Sequence, residues 1–276
     1  MLGTEVEALL CKWNMPFIAL DKEVDITDSV QLQKFVADNP LSWIINCSAY
    51  TAVDKAEDEP KLAFRINADG PRNIAEIAGN KGAKLIHIST DYVFDGAKEG
   101  AYVETDSPNP LSVYGKSKYQ GEVHIQKTLK EHFILRTSWL YGKHGNNFVS
   151  TMLRLFRERD EVRVVGDQFG SPTYAPDLAA TLLKIVHSNS DAYGIYHFTN
   201  EGQISWYDFA CEIYRIAEQK ELLTKELTIK RIVTEDYSTT AQRPLNSCLS
   251  KERIRRNFNV FARPWQEGLQ DFFSAR

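Results

Sequence analysis

Cysteine is scarce: Cys11, Cys47, Cys211 and Cys248 are scattered through 276 residues with no Cys-x-x-Cys pair. That excludes a disulfide framework and a cysteine zinc site, and it predicts free or buried thiols in a reducing compartment. The six histidines lack H-x-H or H-x-x-x-H spacing, so no protein-bound catalytic metal is expected. No apolar run is long enough to span a bilayer, and the N-terminus lacks a basic-then-apolar leader pattern. No membrane association and a cytoplasmic location are therefore the expectations. Positive charge is also in short supply, with 33 Lys and Arg against 37 Asp and Glu and a net charge of -4, which argues against a nucleic-acid partner. The two basic stretches, residues 154–160 and 251–256, mix in acids at helical spacing and read as solvated helix faces. Repeats and low-complexity tracts are missing as well.

What is present is an ordinary globular composition, 43% hydrophobic and 25% charged, enough for one large core or two modest ones. Residues 4–11 have helical spacing, and Pro16-Phe17-Ile18-Ala19-Leu20-Asp21 reads as a short strand ending in an acid. Asp28 is placed to cap a helix over 29–36, and a strand follows at 43–47. Pro60 opens a helical segment to Ala78, Lys84–Ser89 reads as a buried strand, and residues 133–137 as another. This alternation predicts an α/β fold, a Rossmann-like doubly wound parallel sheet covered on both faces. Beyond Gly142 the rhythm loosens, with helices near 147–158, 177–187 and 206–218. The reading is a nucleotide-binding domain over 1–142 and a smaller mixed α/β region over 143–276, with the strand order free to cross between them.

The stretch Ser112-Val113-Tyr114-Gly115-Lys116-Ser117-Lys118 follows a Pro108-Asn109-Pro110 stop and reads as the first turns of a helix. Residues four apart share a helix face, so the Tyr114 hydroxyl and the Lys118 ammonium can converge. A cation beside a phenol favours the phenolate, and such a pair suits proton transfer. Tyr114 is the one tyrosine of twelve with a lysine four residues on. Gly115 costs roughly 1 kcal/mol relative to Ala in a helix interior, so something is expected to approach the backbone there. Ser89 or Thr90, emerging at the end of a buried strand, could hold a substrate carbonyl oxygen.

Doubly wound nucleotide folds open with a strand and a glycine-rich turn into a helix. This sequence opens at the helix. Met1-Leu2-Gly3 reads as the tail of a G-x-x-G-x-x-G turn, and Asp21, eighteen residues after Gly3, stands where an acid would meet an adenosine ribose. The expectation is that roughly a dozen residues, the first strand and most of the turn, belong upstream of Met1; the alternative is a plain N-terminal helix.

Taken together, these segments resemble the extended short-chain dehydrogenase/reductase superfamily, and within it the dTDP-4-dehydrorhamnose reductase family. The resemblance rests on six stretches in family order: Asn46–Glu57, Ser89–Gly96, Tyr114–Lys118, Arg136–Tyr141, Asp167–Thr173 and Arg243–Ser247. It implies reduction of the C4 keto group of dTDP-4-dehydro-6-deoxy-L-mannose, with NADPH as cofactor and NADH as the other candidate. Asp21 favours NADH, since it would bond a ribose 2′-hydroxyl and repel a 2′-phosphate. Tyr114 would donate the proton. Lys118 would lower its pKa and bind the nicotinamide ribose, and Thr90 would hold the C4 oxygen. The resemblance further implies that Leu2, Gly3, Asp21, Asp25, Ile26, Ala49, Tyr50 and Thr51 line the cofactor, and that Val53, Asp91, Trp139, Gln168 and Arg243 meet the dTDP-sugar. Another nucleotide-linked 4-keto-6-deoxysugar as substrate, and a non-catalytic regulatory relative of the fold, are the rival readings; the chain is expected to be a monomer or homodimer.

Overall fold

In the computed structural model, which describes every residue except Lys22, Asp38, Thr224, Ala275 and Arg276, three apolar runs become adjacent parallel strands: β1 (Trp43–Asn46), β2 (Lys84–Thr90) and β3 (His132–Thr137). A fourth, β4 (Gly194–His197), pairs parallel to β3, so the sheet order is β1-β2-β3-β4. Registers such as Asn46↔His87 and Thr90↔Thr137 bring the carboxyl ends of the strands to one edge. Both faces are covered. In β3, Ile134 packs with Ile74, Leu85 and Ile125 under the helices Ser29–Ala37 and Gly70–Lys81. Its neighbours Phe133 and Leu135 point the other way, into a cluster with Leu2, Val6, Leu178, Leu182, Tyr196 and Ile254. An apolar run, Phe133–Leu135, that buries side chains on both faces is the signature of a doubly covered, Rossmann-like sheet.

That second cluster joins the helix Leu2–Lys12 to the helix Ala175–Ser188. The half beyond residue 143 thus contributes a strand and a covering helix to the main sheet, and the strand order crosses between the two halves. The rest of that half forms a separate core, in which helices Phe148–Glu158, Trp206–Gln219 and Trp265–Ser274 enclose Phe156, Phe209, Ile213 and Phe272. The parallel pair Glu161–Val165 and Thr228–Ile232 packs against it.

Local signals set most boundaries. Asp28 Oδ1 accepts from the Val30 and Gln31 amides, and Asn147 forms a reciprocal cap with Ser150, each satisfying amides that the first helical turn leaves unpaired. The helical segment after Pro60 carries a π turn at Arg65–Asp69 before continuing as Gly70–Lys81. One expected element is absent: Pro16–Asp21 joins no strand pair among the described residues, and Phe17, Ile18 and Leu20 are exposed. Strand propensity alone cannot hold an extended segment, because its backbone groups need a neighbouring strand; β1, the nearest edge of the sheet in order, pairs only with β2. Among the described residues, no helix is long and apolar enough to cross a membrane.

Candidate active site

The helix Val113–Thr128 begins where expected, with Ser112 Oγ accepting from the Gly115 amide at 3.1 Å. Its two glycines let it sit on neighbouring backbone. A Cβ on Gly115 would stand 2.2 Å from the Tyr92 carbonyl oxygen, and one on Gly121 2.2 Å from that of Asn67. What approaches Gly115 is therefore the chain's own loop after β2, and this contact brings Tyr114 against Thr90 and Tyr92. The Tyr92 ring meets that of Tyr114 edge-on, centroids 5.4 Å apart.

Of the two hydroxyls at the end of β2, Ser89 is already engaged. It donates to Glu122 Oε1 at 2.5 Å, and Glu122 also accepts both Nε and Nη2 of Arg136 at 2.9 and 2.6 Å. Thr90 is the one that reaches the phenol. Its hydroxyl bonds Tyr114, donates to Asp91 Oδ1 at 2.9 Å and accepts from the Tyr92 amide. Burial pushes the Tyr114 phenol up to about 12, opposed by the Thr90 hydrogen bond. Burial likewise raises the Asp91 carboxyl to about 7 against bonds from Thr90 and Ser247.

Lys118 is anchored on β2. Its Nζ donates to the Ile88 carbonyl at 2.6 Å and lies 3.3 Å from His87 Nε2, so β2 holds the ammonium. Lys118 is itself only 2% exposed, and burial pulls its pKa down to about 8.

The residues expected at the cofactor form three groups. Leu2 and Gly3 open the first helix, whose N-terminus no side chain caps, leaving amide donors of the kind that bind phosphate. Asp21 is exposed, with its amide bonded to Glu23 Oε2; Asp25 is exposed and accepts from the Thr27 amide; half-buried Ile26 packs on Gly70. Ala49, Tyr50 and Thr51 follow β1, where the Tyr50 amide donates to Asn67 Oδ1.

On the substrate side, Val53 opens the helix Val53–Asp58. Trp139 adopts a left-handed backbone (φ 48°) and stacks on Trp206 with centroids 3.5 Å apart. Arg243 does not project a free fork: Nη1 and Nη2 bond both oxygens of Asp54 at 3.1 and 2.7 Å. Gln168 is buried and donates to Thr234 Oγ1. Sequence reasoning missed Trp206, Tyr92 and the buried pair Asn46 and His87. For the last two a signal existed: His87 is an ionisable residue inside an otherwise apolar run.

Comparison with known proteins places this geometry. Residues 1–276 match the family described as the RmlD substrate binding domain. The dTDP-4-dehydrorhamnose reductase of Aggregatibacter actinomycetemcomitans is 44% identical over 259 residues, 92% of this chain and 88% of the relative. The spore coat polysaccharide biosynthesis protein SpsK of Bacillus subtilis is 39% identical over 276 residues, 100% of this chain and 94% of that one. The crystal structure of dTDP-4-dehydrorhamnose reductase from Bacillus anthracis in complex with NADP superposes with a TM-score of 0.94 at 42% identity, covering 100% of this chain and 95% of that chain.

Proposed function

Because the chain belongs to the RmlD substrate binding domain family, we propose that its site carries out the reaction named for its relatives. That reaction is the NADPH-dependent reduction of dTDP-4-dehydro-6-deoxy-L-mannose at C4 to dTDP-L-rhamnose. The observation that carries this reading is the buried Thr90, Tyr114 and Lys118 array at the carboxyl edge of the sheet, where doubly wound folds bind nucleotides.

The residues present fit a dinucleotide. Uncapped amides at Leu2 and Gly3 suit a pyrophosphate, and Lys118 has three donors of which the Ile88 carbonyl takes one. When bound, the reduced nicotinamide supplies the hydride. Tyr114 gives its proton to the C4 oxygen as negative charge develops there, and Thr90 orients that phenol. A phenol raised to about 12 stays protonated at neutral pH and is ready to donate. Trp139, braced by Trp206, and Val53 form an apolar wall suited to a methyl-bearing sugar ring. Arg243 meets the diphosphate while held by Asp54, and Gln168 and Asp91 complete the polar rim. Asp21 is solvent-exposed, so water and salt screen it from a 2′-phosphate; NADPH is the main cofactor and NADH the second. A cytoplasmic location suits the substrate and cofactor that this reading assigns.

The test is the oxidation of NADPH with dTDP-4-dehydro-6-deoxy-L-mannose. Tyr114→Phe should lower kcat by a factor on the order of 10²–10⁴ with cofactor affinity nearly unchanged. Near-full turnover of that variant removes Tyr114 from the chemistry, and no turnover by the wild type favours the non-catalytic reading.

A further inference from the structure

Asp54 stands half-buried on the helix Val53–Asp58, in the half of the chain before residue 143, yet it reaches across to the segment between Thr234 and Ser247. Its Oδ1 accepts from the Ala241 amide at 3.1 Å and from Arg243 Nη1 at 3.1 Å, and its Oδ2 accepts from Arg243 Nη2 at 2.7 Å. The Arg243 bond holds the Asp54 carboxyl below its ordinary range, so the pair is ionic at neutral pH. The same segment is tied near its two ends, where Thr234 donates to Asp167 and Asn246 donates to the Lys98 and Gly100 carbonyls. Asp54 therefore fixes its middle, and with it the direction of the Arg243 side chain.

A guanidinium carries five N–H donors in one plane. Asp54 takes one from each Nη, and the Ala241 carbonyl takes the other from Nη1 at 3.3 Å. Two donors are left without a partner among the described residues, Nε–H and the second Nη2–H, and they lie side by side along one edge of the plane. Elsewhere in this protein that same edge grips both oxygens of a carboxylate. Arg136 holds Glu122 through Nε and Nη2 at 2.9 and 2.6 Å, and Arg215 holds Glu212 at 2.8 and 2.6 Å. Phosphate oxygens suit the same planar pair of donors. The edge also stands near the chemistry, since the charges of Arg243 and Asp54 both reach the hydroxyl of Tyr92, whose ring meets that of Tyr114. In a hexose C1 lies across the ring from C4, so a diphosphate on C1 falls a sugar's width from the Tyr114 hydroxyl. We propose that Asp54 is a positioning residue for the nucleotide sugar: by holding the end of the Arg243 guanidinium and the Ala241 amide, it aims the free Nε–Nη2 edge at two oxygens of the diphosphate. Its contribution is orientation, not attraction. The carboxylate's own charge repels the ligand, so it favours binding only through the geometry it imposes.

The inference rests on the reading in which Arg243 meets the diphosphate, and calorimetric titration with dTDP alone separates the two. A wild type that fails to bind dTDP overturns that reading and the role of Asp54 with it. Where the wild type binds, two variants should each weaken dTDP by about tenfold. Asp54→Asn keeps the shape and loses the charge-assisted end bond; Asp54→Glu keeps the charge and moves the carboxylate by one methylene. In an Arg243→Lys background, which has no planar edge to aim, Asp54→Asn should cost nothing further. A loss that persists undiminished in that background marks a merely structural aspartate and overturns the proposal. Tighter dTDP binding by Asp54→Asn overturns it too, since that is the behaviour of a latch competing with the ligand for Arg243, and so does wild-type affinity in both variants. Nitrogen-15 NMR reads the edge itself: the Arg243 Nε–H signal, assigned by its loss in Arg243→Lys, should shift when the wild type is saturated with dTDP. A signal that does not move refutes the assignment of that edge.

Discussion

Arg136→Met is the perturbation with the largest expected cost, and the structure sets its size. Arg136 is 1% exposed and Glu122 fully buried, and two guanidinium bonds at 2.9 and 2.6 Å join them. The guanidinium also lies 5.0 Å from the centre of the Phe94 ring. Removing the arginine leaves a buried carboxylate with the Ser89 hydroxyl as its one remaining bond among those described. Breaking a buried pair in this way costs about 3–5 kcal/mol, a large share of a typical total stability of about 5–15 kcal/mol. The double variant Arg136→Met with Glu122→Leu removes both charges and orphans only a hydroxyl, so it should recover to within about 2 kcal/mol of wild type. Urea unfolding followed by tryptophan fluorescence measures all three proteins, with the coupling taken from the double-mutant cycle. A single variant that loses less than about 1 kcal/mol, or a double variant that loses the sum of the singles, refutes the argument that desolvation dominates here.

Three further outcomes are expected. Gly115→Ala places a methyl 2.2 Å from the Tyr92 carbonyl, which forces the helix off the loop; it should destabilise by about 1–3 kcal/mol and lower kcat, whereas wild-type kinetics would show that the loop yields instead. Asp91→Asn tests the carboxyl raised to about 7. A raised folded-state pKa makes the wild type lose stability as pH rises from near 4 to near 7, so the variant's stability relative to wild type should climb over that window and then level off in denaturant titrations at stepped pH. Trp206→Ala removes the ring stacked on Trp139; an aromatic pair contributes about 0.5–1.5 kcal/mol, so KM for the sugar should rise by up to about tenfold with kcat little changed.

How far the sequence could be read depended on where each signal is stored. The three strands before residue 143 and the long helices were legible because their apolar runs and caps are local, as with Asp28 over the helix Ser29–Ala37 and Ser112 over the helix Val113–Thr128. The strand expected at 16–21 failed because a strand exists only through its neighbours, which propensity does not report. Strand Gly194–His197 was missed for the converse reason: four residues after a long loop pattern carry little signal until β3 is beside them. At the site, Tyr114, Lys118 and Thr90 could be named from motif spacing, but not their bonding. Spacing put Lys118 within reach of Tyr114, and only tertiary contacts assign its Nζ to Ile88 and His87.

The partition of hydroxyls at the end of β2 shows how the buried ion pair and the chemistry depend on each other. Ser89 and Thr90 are consecutive on a strand, so their side chains leave on opposite faces. The helix Val113–Thr128 presents two polar groups to that strand end, Glu122 and Tyr114, two turns apart. Glu122 is buried and bound to Arg136, and it takes the Ser89 hydroxyl; Thr90 is left to face Tyr114. Register therefore decides which hydroxyl faces the phenol, and the helix can keep that register because Gly115 and Gly121 allow its backbone to touch the chain at Tyr92 and Asn67. It follows that a side chain at Gly121, more than a turn from the phenol, should disturb turnover through Tyr114. The measurement is kcat of Gly121→Ala with NADPH and the dTDP-sugar. A fall in kcat with folding retained supports a helix seated as a rigid unit, and an unchanged kcat would show that the Tyr114 end is held by Ser112 and the Tyr92 loop alone.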